Sequence, residues 1–106
     1  MSLVSISQSN GLFLLLLNNG QDNWFTHEFI RQVSQALDDV LSKVTPHSAL
    51  VTMATNSKIY SNGLNLKEAV EIGQPYFDNY MKLLYKLLTF PIPTIAGAFT
   101  HRLMIL

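Results

Sequence analysis

The sequence predicts an α/β fold in which a β-hairpin, a long helix and a buried strand follow one another. Three observations support this prediction: an Asn-Gly turn between two apolar segments, an amphipathic segment of about twenty residues, and a short β-branched run after it. A strand that follows such a helix pairs in parallel through a crossover, and these crossovers are right-handed. The alternation of strand, helix and strand therefore predicts an α/β architecture.

The hairpin is the first predicted element. In residues 3–8, leucine, valine and isoleucine alternate with serine and glutamine, as in a strand with one buried face. Asn10-Gly11 then supplies the residues that tolerate the positive φ angles of a tight hairpin turn. The run Leu12 to Leu17 is apolar throughout, which predicts a fully buried second strand.

The longest predicted helix covers residues 24–44. Its apolar residues recur at helical spacing, at Phe25, Phe29, Val33, Ala36, Leu37, Val40, Leu41 and Val44. Trp24, Phe25 and Phe29 are predicted to be core residues that fix the helix start. Thr45-Pro46 ends the helix, because proline cannot continue its hydrogen bonds.

Four further elements are predicted. Ala49 to Thr55 is typical of a buried parallel strand, and Leu64 to Ala69 of a short helix that begins directly after Gly63. A second long helix has Pro75 in its first turn, and Thr94 to Phe99 is the next strand. The aromatic residues of that helix are predicted to be core residues: Tyr76, Phe77, Tyr80 and Tyr85.

Composition excludes several classes of function. The chain has 106 residues and a mass of 11.9 kDa, enough for one modest domain, and 48% of the residues are hydrophobic. Seven basic residues balance seven acidic ones, so no overall field attracts nucleic acid or an anionic membrane. Without cysteine there is no thiol chemistry, and the three histidines lack metal-ligand spacing. The run Leu12 to Leu17 is too short to span a membrane, and no signal peptide is expected.

The chemistry is predicted in the stretch from Ser57 to Glu68. A strand that ends in a small-residue turn before a helix exposes unpaired backbone N–H groups, and Gly63 permits positive φ or a close ligand approach. Such donors can stabilise a developing oxyanion. By itself, the pattern is far more often an ordinary loop before a helix.

Three motifs extend this interpretation. KIYSNGLNLKEA is similar to K-x-F-S-x-G-x-D-L, and FPIPTIAGAFTH is similar to P-x-P-x-I-A-x-x-x-G-H. The opening LFLLLLNNGQDNWF is similar to L-N-x-P-x-x-N, with Asn18 and Asn23 in matching places. In this order and separation they resemble the enoyl-CoA hydratase/isomerase (crotonase) family, most of all plant enoyl-CoA delta isomerases, over the N-terminal half of that domain.

The resemblance implies a truncated crotonase-like superhelix of β-β-α units, with residues 1–106 as a partial domain. It implies binding of acyl-CoA and enoyl-CoA thioesters, with the Leu64 backbone N–H as the first oxyanion donor and CoA as part of the substrate rather than a cofactor. The residues implied to lie against CoA are Lys58, Tyr60, Ser61, Asn62, Gly63 and Asn65. Lys58 is a phosphate partner by resemblance, but it is slightly more typical of a solvated loop lysine. The resemblance also offers the wall of an acyl-chain tunnel as an alternative role for the aromatic residues of the second long helix. The family further implies a homo-oligomer, a trimer, and a peroxisomal or otherwise cytoplasmic location.

Departures from the motifs limit the activity that we expect. Asn65 replaces an aspartate but keeps a side chain that can cap a helix. Thr100 replaces a glycine before His101, after which the match ends, so the second oxyanion amide and the catalytic glutamate have no counterpart. Glu68 and Glu71 are interpreted as a solvated helix face. The expected function is therefore that of a delta(3)-delta(2)-enoyl-CoA isomerase relative in fatty-acid β-oxidation, inactive by itself; the alternative is a non-catalytic acyl-CoA-binding or subunit-interaction form.

Overall fold

A computed structural model describes residues 2–55 and 60–97 of the chain. Its helices and strands are β1 (Val4–Ser9), β2 (Leu12–Leu17), α1 (His27–Leu41), β3 (Ala49–Ala54), α2 (Leu66–Ile72), α3 (Gln74–Leu88) and β4 (Thr94–Gly97). None of the helices in these two ranges is long and apolar enough to cross a membrane. The predicted strand Thr94 to Phe99 is confirmed up to Gly97, and its last two residues lie outside the described ranges.

The four strands form one sheet in the order β1-β2-β3-β4. β1 and β2 are antiparallel, and their turn has positive φ at both Asn10 and Gly11, as the Asn-Gly pair predicts. β3 pairs in parallel with β2 and β4, with Phe13 opposite Leu50 and Leu50 opposite Thr94. α1 makes the first crossover, and α2 and α3 together make the second, which confirms the predicted α/β architecture.

The core lies between one face of the sheet and the two long helices. Phe13 and Leu15 on β2 and Leu50 on β3 are fully buried there. They belong to one apolar cluster with residues of α1 and α3 such as Leu37 and Leu83. Burial alternates along β2 and β3, so the other sheet face is only partly buried and the prediction of fully buried strands is wrong for that face.

The start of α1 differs from the prediction because of its cap and of a distant contact. The helix begins at His27, since the Thr26 hydroxyl accepts the Phe29 N–H at 3.2 Å and Thr26 has extended backbone angles. Phe25, before the cap, forms an isolated parallel bridge with Leu64. Phe25 and Phe29 are buried as predicted, but Trp24 is 39% exposed, so its assignment to the core is wrong.

The helices of the second half, α2 and α3, also differ from the prediction. α2 begins at Leu66 rather than Leu64, because the Asn65 side chain accepts the Glu68 N–H at 3.0 Å and caps the helix. In α3, Tyr76 and Tyr80 are buried as predicted. Phe77 and Tyr85 are 42% and 70% exposed, so the prediction that they belong to the core is wrong. They occupy the outer side of α3, which no other described element covers.

Candidate functional site

The predicted site is a turn, residues 60–65, that follows β3 and packs against the loop before α1. Two backbone hydrogen bonds join the segments: the Asn62 N–H donates to the Asp22 carbonyl at 2.8 Å, and the Phe25 N–H donates to the Gly63 carbonyl at 2.8 Å. The bridge between Phe25 and Leu64 lies beside the second of these bonds. The turn is therefore joined to this loop by one parallel bridge, separate from the four-stranded sheet.

Asn23 is the central residue of this contact. It is fully buried, with φ of 47°, a left-handed conformation that asparagine tolerates better than most residues. Its side-chain oxygen accepts the Asn19 N–H at 2.7 Å, and its amide nitrogen donates to the Tyr60 carbonyl at 3.0 Å. Its own carbonyl accepts the Ser61 hydroxyl at 2.8 Å. One side chain and one carbonyl thus hold the loop and the turn together.

Ser61 and Gly63 set the shape of the turn itself. The Ser61 side chain is fully buried, and its hydroxyl oxygen also accepts the Gly63 N–H at 2.9 Å. Gly63 has φ of 82°, which strongly favours glycine because a Cβ would clash with its own backbone. Of the two possibilities considered for Gly63, the positive φ is confirmed.

Tyr60 links the turn to β3. Its ring is buried, and its hydroxyl shares a hydrogen bond with the Thr52 hydroxyl on β3. Burial raises the pKa of Tyr60, although the bond to Thr52 lowers it, so the phenol remains neutral around pH 7. The side chains of Tyr60 and Ser61 both face protein atoms. Any contact of these two residues with CoA would therefore come from their backbone atoms.

The Leu64 N–H differs from the amides around it. Asn62 and Gly63 donate as described above, and the Asn65 N–H donates to the Tyr76 hydroxyl at 3.0 Å. Within the described residues, the Leu64 N–H has no acceptor, because the bridge to Phe25 uses the Gly63 carbonyl instead. Leu64 is partly buried. The turn thus holds three of these four donors in internal bonds and leaves the Leu64 N–H available.

The charged residues near the turn have structural partners. Glu68 is partly buried and accepts the His27 N–H at 2.7 Å, so it caps α1 and its interpretation as a solvated residue is wrong. Glu71 is exposed, as predicted. The His27 ring lies 2.8 Å from the Asn79 side-chain nitrogen. In residues 2–55 and 60–97, no three His, Cys, Asp or Glu side chains could together hold a metal ion.

Two predicted features fall outside the described residues, and two others were missed. Lys58 and the Thr100-His101 pair are not described by the structure. Asn62 and Asn65 are partly buried beside Leu64.

Sequence reasoning missed the Tyr76 hydroxyl and a groove of about 430 Å³ between α1 and α3, which is lined by His27, Arg31, Asn79 and Lys82 among others. Neither carries a motif, since both depend on contacts between distant segments.

No family model matches this chain. Two curated relatives from Arabidopsis thaliana, the peroxisomal enoyl-CoA delta isomerase 2 and enoyl-CoA delta isomerase 3, are each 28% identical over 93% of the chain. The alignments cover 45% and 44% of those relatives, so the chain spans less than half of their length.

Solved structures give the same result for the fold. An enoyl-CoA hydratase from Geobacillus kaustophilus superposes with a TM-score of 0.79 at 18% identity, over 91% of this chain and 38% of that one. The enoyl-CoA isomerase of Mycobacterium tuberculosis gives a TM-score of 0.77 at 23% identity, over 90% and 41%. The chain has the crotonase fold. The predicted resemblance to the enoyl-CoA hydratase/isomerase family is confirmed, and this crotonase-like chain corresponds to under half of each neighbour.

Proposed function

We propose that this chain forms the first part of the thioester site of an enoyl-CoA isomerase or hydratase that acts in fatty-acid β-oxidation. In this proposal, the Leu64 N–H donates a hydrogen bond to the thioester oxygen of an acyl-CoA or enoyl-CoA. The likeness to isomerases and hydratases over nearly the whole chain supports the substrate class. The peroxisomal relative supports the same location for this protein.

The observation that carries the proposal is that, among residues 62–65, Leu64 has the single N–H without an acceptor in the described residues. The N–H groups of Asn62, Gly63 and Asn65 are already paired, so a carbonyl oxygen that approaches residues 62–65 meets one unpaired N–H, and the Gly63 carbonyl of the same peptide unit is held by the Phe25 N–H. A donor fixed in advance stabilises an oxyanion without the cost of reorganising at the moment of reaction. The partial charge of α2 adds little, since that helix has only seven residues and begins two positions later.

The proposed reaction moves a double bond by proton transfer. A base removes a proton from C2 of a 3-enoyl-CoA, negative charge moves onto the thioester oxygen beside Leu64, and a proton added at C4 leaves the double bond at C2. We assign Glu68 the structural role of a cap of α1 rather than that of the base, because its Oε1 accepts the His27 N–H. We therefore propose that a second oxyanion donor and a catalytic carboxylate come from outside the described residues, and that the 106 residues alone bind thioesters without turnover.

Binding of CoA is proposed to use the rest of the turn. The partly buried Asn62 and Asn65 flank Leu64, and Tyr60, Ser61 and Gly63 offer backbone atoms. Lys58, which precedes the turn, is proposed as a phosphate partner. CoA is part of the substrate, so the proposed activity needs no separate cofactor, and a homotrimer is the proposed assembly.

Replacement of Leu64 by proline tests the donor, because proline has no N–H. We expect Leu64→Pro to weaken binding of hexanoyl-CoA by about fivefold to tenfold, the value of one net hydrogen bond, while binding of hexyl-CoA, a thioether without the carbonyl oxygen, changes little. Leu66→Pro is the matched control: it lies two residues later at the first position of α2, where proline is tolerated, and its side chain is exposed. Calorimetry measures the affinities and circular dichroism checks folding. A folded Leu64→Pro chain with unchanged affinity for hexanoyl-CoA would refute the assignment.

A non-catalytic role in subunit contact is the second candidate. It is favoured by the exposed apolar side chains of α2 and α3, which include Val70, Met81, Tyr85 and Leu88. An isomerisation assay with a 3-enoyl-CoA and sedimentation of the same sample separate the candidates. Turnover above a no-protein control would contradict the proposed inactivity of the chain, and a monomer at micromolar concentration that binds hexanoyl-CoA would argue against subunit contact.

A further inference from the structure

Tyr76 connects three segments that are far apart in the sequence. It lies in the first turn of α3 and is fully buried. Its hydroxyl accepts the Asn65 N–H at 3.0 Å and donates to the Phe25 carbonyl. One phenolic group thus joins α3, the turn after β3 and the loop before α1.

The position of this hydroxyl is explained by the parallel bridge. In a continuous parallel ladder, the Phe25 N–H would donate to the Gly63 carbonyl and the Asn65 N–H would donate to the Phe25 carbonyl. The first bond is present at 2.8 Å. In place of the second, the Tyr76 hydroxyl is inserted between the donor and the acceptor. The hydroxyl therefore completes the bridge at the peptide that follows Leu64.

We infer that Tyr76 is a positioning residue that fixes the direction of the Leu64 N–H. On one side of Leu64, its N–H belongs to the same peptide unit as the Gly63 carbonyl, which accepts the Phe25 N–H, and the Gly63 N–H donates to the Ser61 hydroxyl. On the other side, the Asn65 peptide is held by the Tyr76 hydroxyl. With its own peptide unit and the one on each side held by hydrogen bonds, the Leu64 N–H has one direction. The consequence for ligand binding rests on the proposed function, whereas the effect on the backbone does not.

The surroundings of Tyr76 suit this role. Its ring is parallel to the Tyr80 ring, with centroids 6.5 Å apart, and meets the Phe77 ring edge-on at 5.7 Å. Burial raises the pKa of Tyr76, so its hydroxyl keeps the proton that it donates to the Phe25 carbonyl at neutral pH. The side chain is thus packed on its faces and hydrogen-bonded at its end.

The test compares Tyr76→Phe with Tyr80→Phe in the full chain. Tyr80 is a matched control, because it is buried one turn later on the same helix and its hydroxyl has no hydrogen bond to any described residue. In amide NMR spectra, we expect Tyr76→Phe to shift the Leu64 and Asn65 resonances and to raise hydrogen exchange at Asn65 by about tenfold, as a lost hydrogen bond predicts. It should also reduce the preference for hexanoyl-CoA over hexyl-CoA by about threefold or more and leave the affinity for hexyl-CoA unchanged.

Each outcome decides the inference. If a folded Tyr76→Phe chain shows the same Leu64 and Asn65 resonances as Tyr80→Phe, or weakens both ligands equally, the inference is wrong. If the unmodified chain shows no preference for the thioester, the proposed function fails, and the amide resonances still decide the role of Tyr76. If Tyr76→Phe does not fold, NMR spectra of the unmodified chain decide instead. A slowly exchanging Tyr76 hydroxyl proton close to the Asn65 amide proton supports the inference, and the absence of such a proton overturns it.

Discussion

The turn at residues 60–65 and the outer face of the sheet differ in how far other described residues contact their side chains. At the turn, polar groups are buried, and no buried side-chain nitrogen or oxygen in the described residues lacks a hydrogen-bond partner. The outer sheet face carries apolar side chains in rows across the strands, such as Leu14, Val51 and Ile95. Leu14 and Val51 are only partly buried, and Ile95 is 55% exposed.

The contrast shows which part of the fold is complete within the described residues. The turn obtains its partners from the loop before α1 and from α3. The sheet face has no such partner in residues 2–55 and 60–97, although parallel strands are usually covered on both faces. The geometry of the donor is therefore set by contacts within the described residues, whereas the outer sheet face is not covered by them.

Removal of the Asn23 side chain should have the largest effect. Asn23→Ala leaves the Tyr60 carbonyl and the Asn19 N–H without their partners inside the protein. We expect the free energy of unfolding to fall by about 2–4 kcal/mol, measured by urea denaturation. Asn18→Ala, at an exposed position in the same loop, should change it by less than about 0.5 kcal/mol. Equal effects of the two substitutions would show that the hydrogen bonds of the Asn23 side chain do not stabilise the turn.

Alkaline pH should have a smaller effect on the free energy of unfolding, through the buried side chain of Tyr60. Because the pKa of Tyr60 is raised in the folded chain, the unfolded chain releases this proton first, and the free energy of unfolding falls as pH rises above about 10. Tyr60→Phe should reduce this slope, as measured by denaturation between about pH 9 and 11. The exposed Tyr85 supplies the control, and a Tyr85→Phe chain with the same loss of slope would contradict the role of burial.

The outer sheet face should show the smallest effect. Ile95→Thr keeps a β-branched residue in β4 and removes apolar surface that is already more than half exposed. We expect the free energy of unfolding to change by no more than about 0.5 kcal/mol in the isolated chain. A loss well above about 1.5 kcal/mol would mean that this face is packed in solution, by another copy or another segment.

The sequence predicted local features better than distant contacts. Asn10-Gly11 located the hairpin because turn chemistry is local, and apolar spacing located α1. The start of α1 was wrong by three residues. The Thr26 cap is a local contact with Phe29, but the bridge that holds Phe25 outside the helix depends on Leu64, almost forty residues away. The outer residues of α3, such as Phe77 and Tyr85, have the same hydropathy as core residues, so their exposure could not be predicted.

The candidate site was predicted only in part. The resemblance pointed to the Leu64 N–H, and glycine chemistry pointed to Gly63. The pairing of the neighbouring amides could not be predicted, because it uses the Asp22 carbonyl, the Ser61 hydroxyl and the Tyr76 hydroxyl. That pairing is what distinguishes Leu64 from the residues around it.

The most direct test of the central claim is an NMR titration of the ¹⁵N-labelled chain with hexanoyl-CoA and, separately, with hexyl-CoA. If the Leu64 N–H binds the thioester oxygen, its amide proton resonance moves downfield with the thioester and much less with the thioether, and the resonances of Asn62, Gly63 and Asn65 move less because those amides are already paired. A Leu64 resonance that stays in place at saturating hexanoyl-CoA, or that moves equally with both ligands, would contradict the claim.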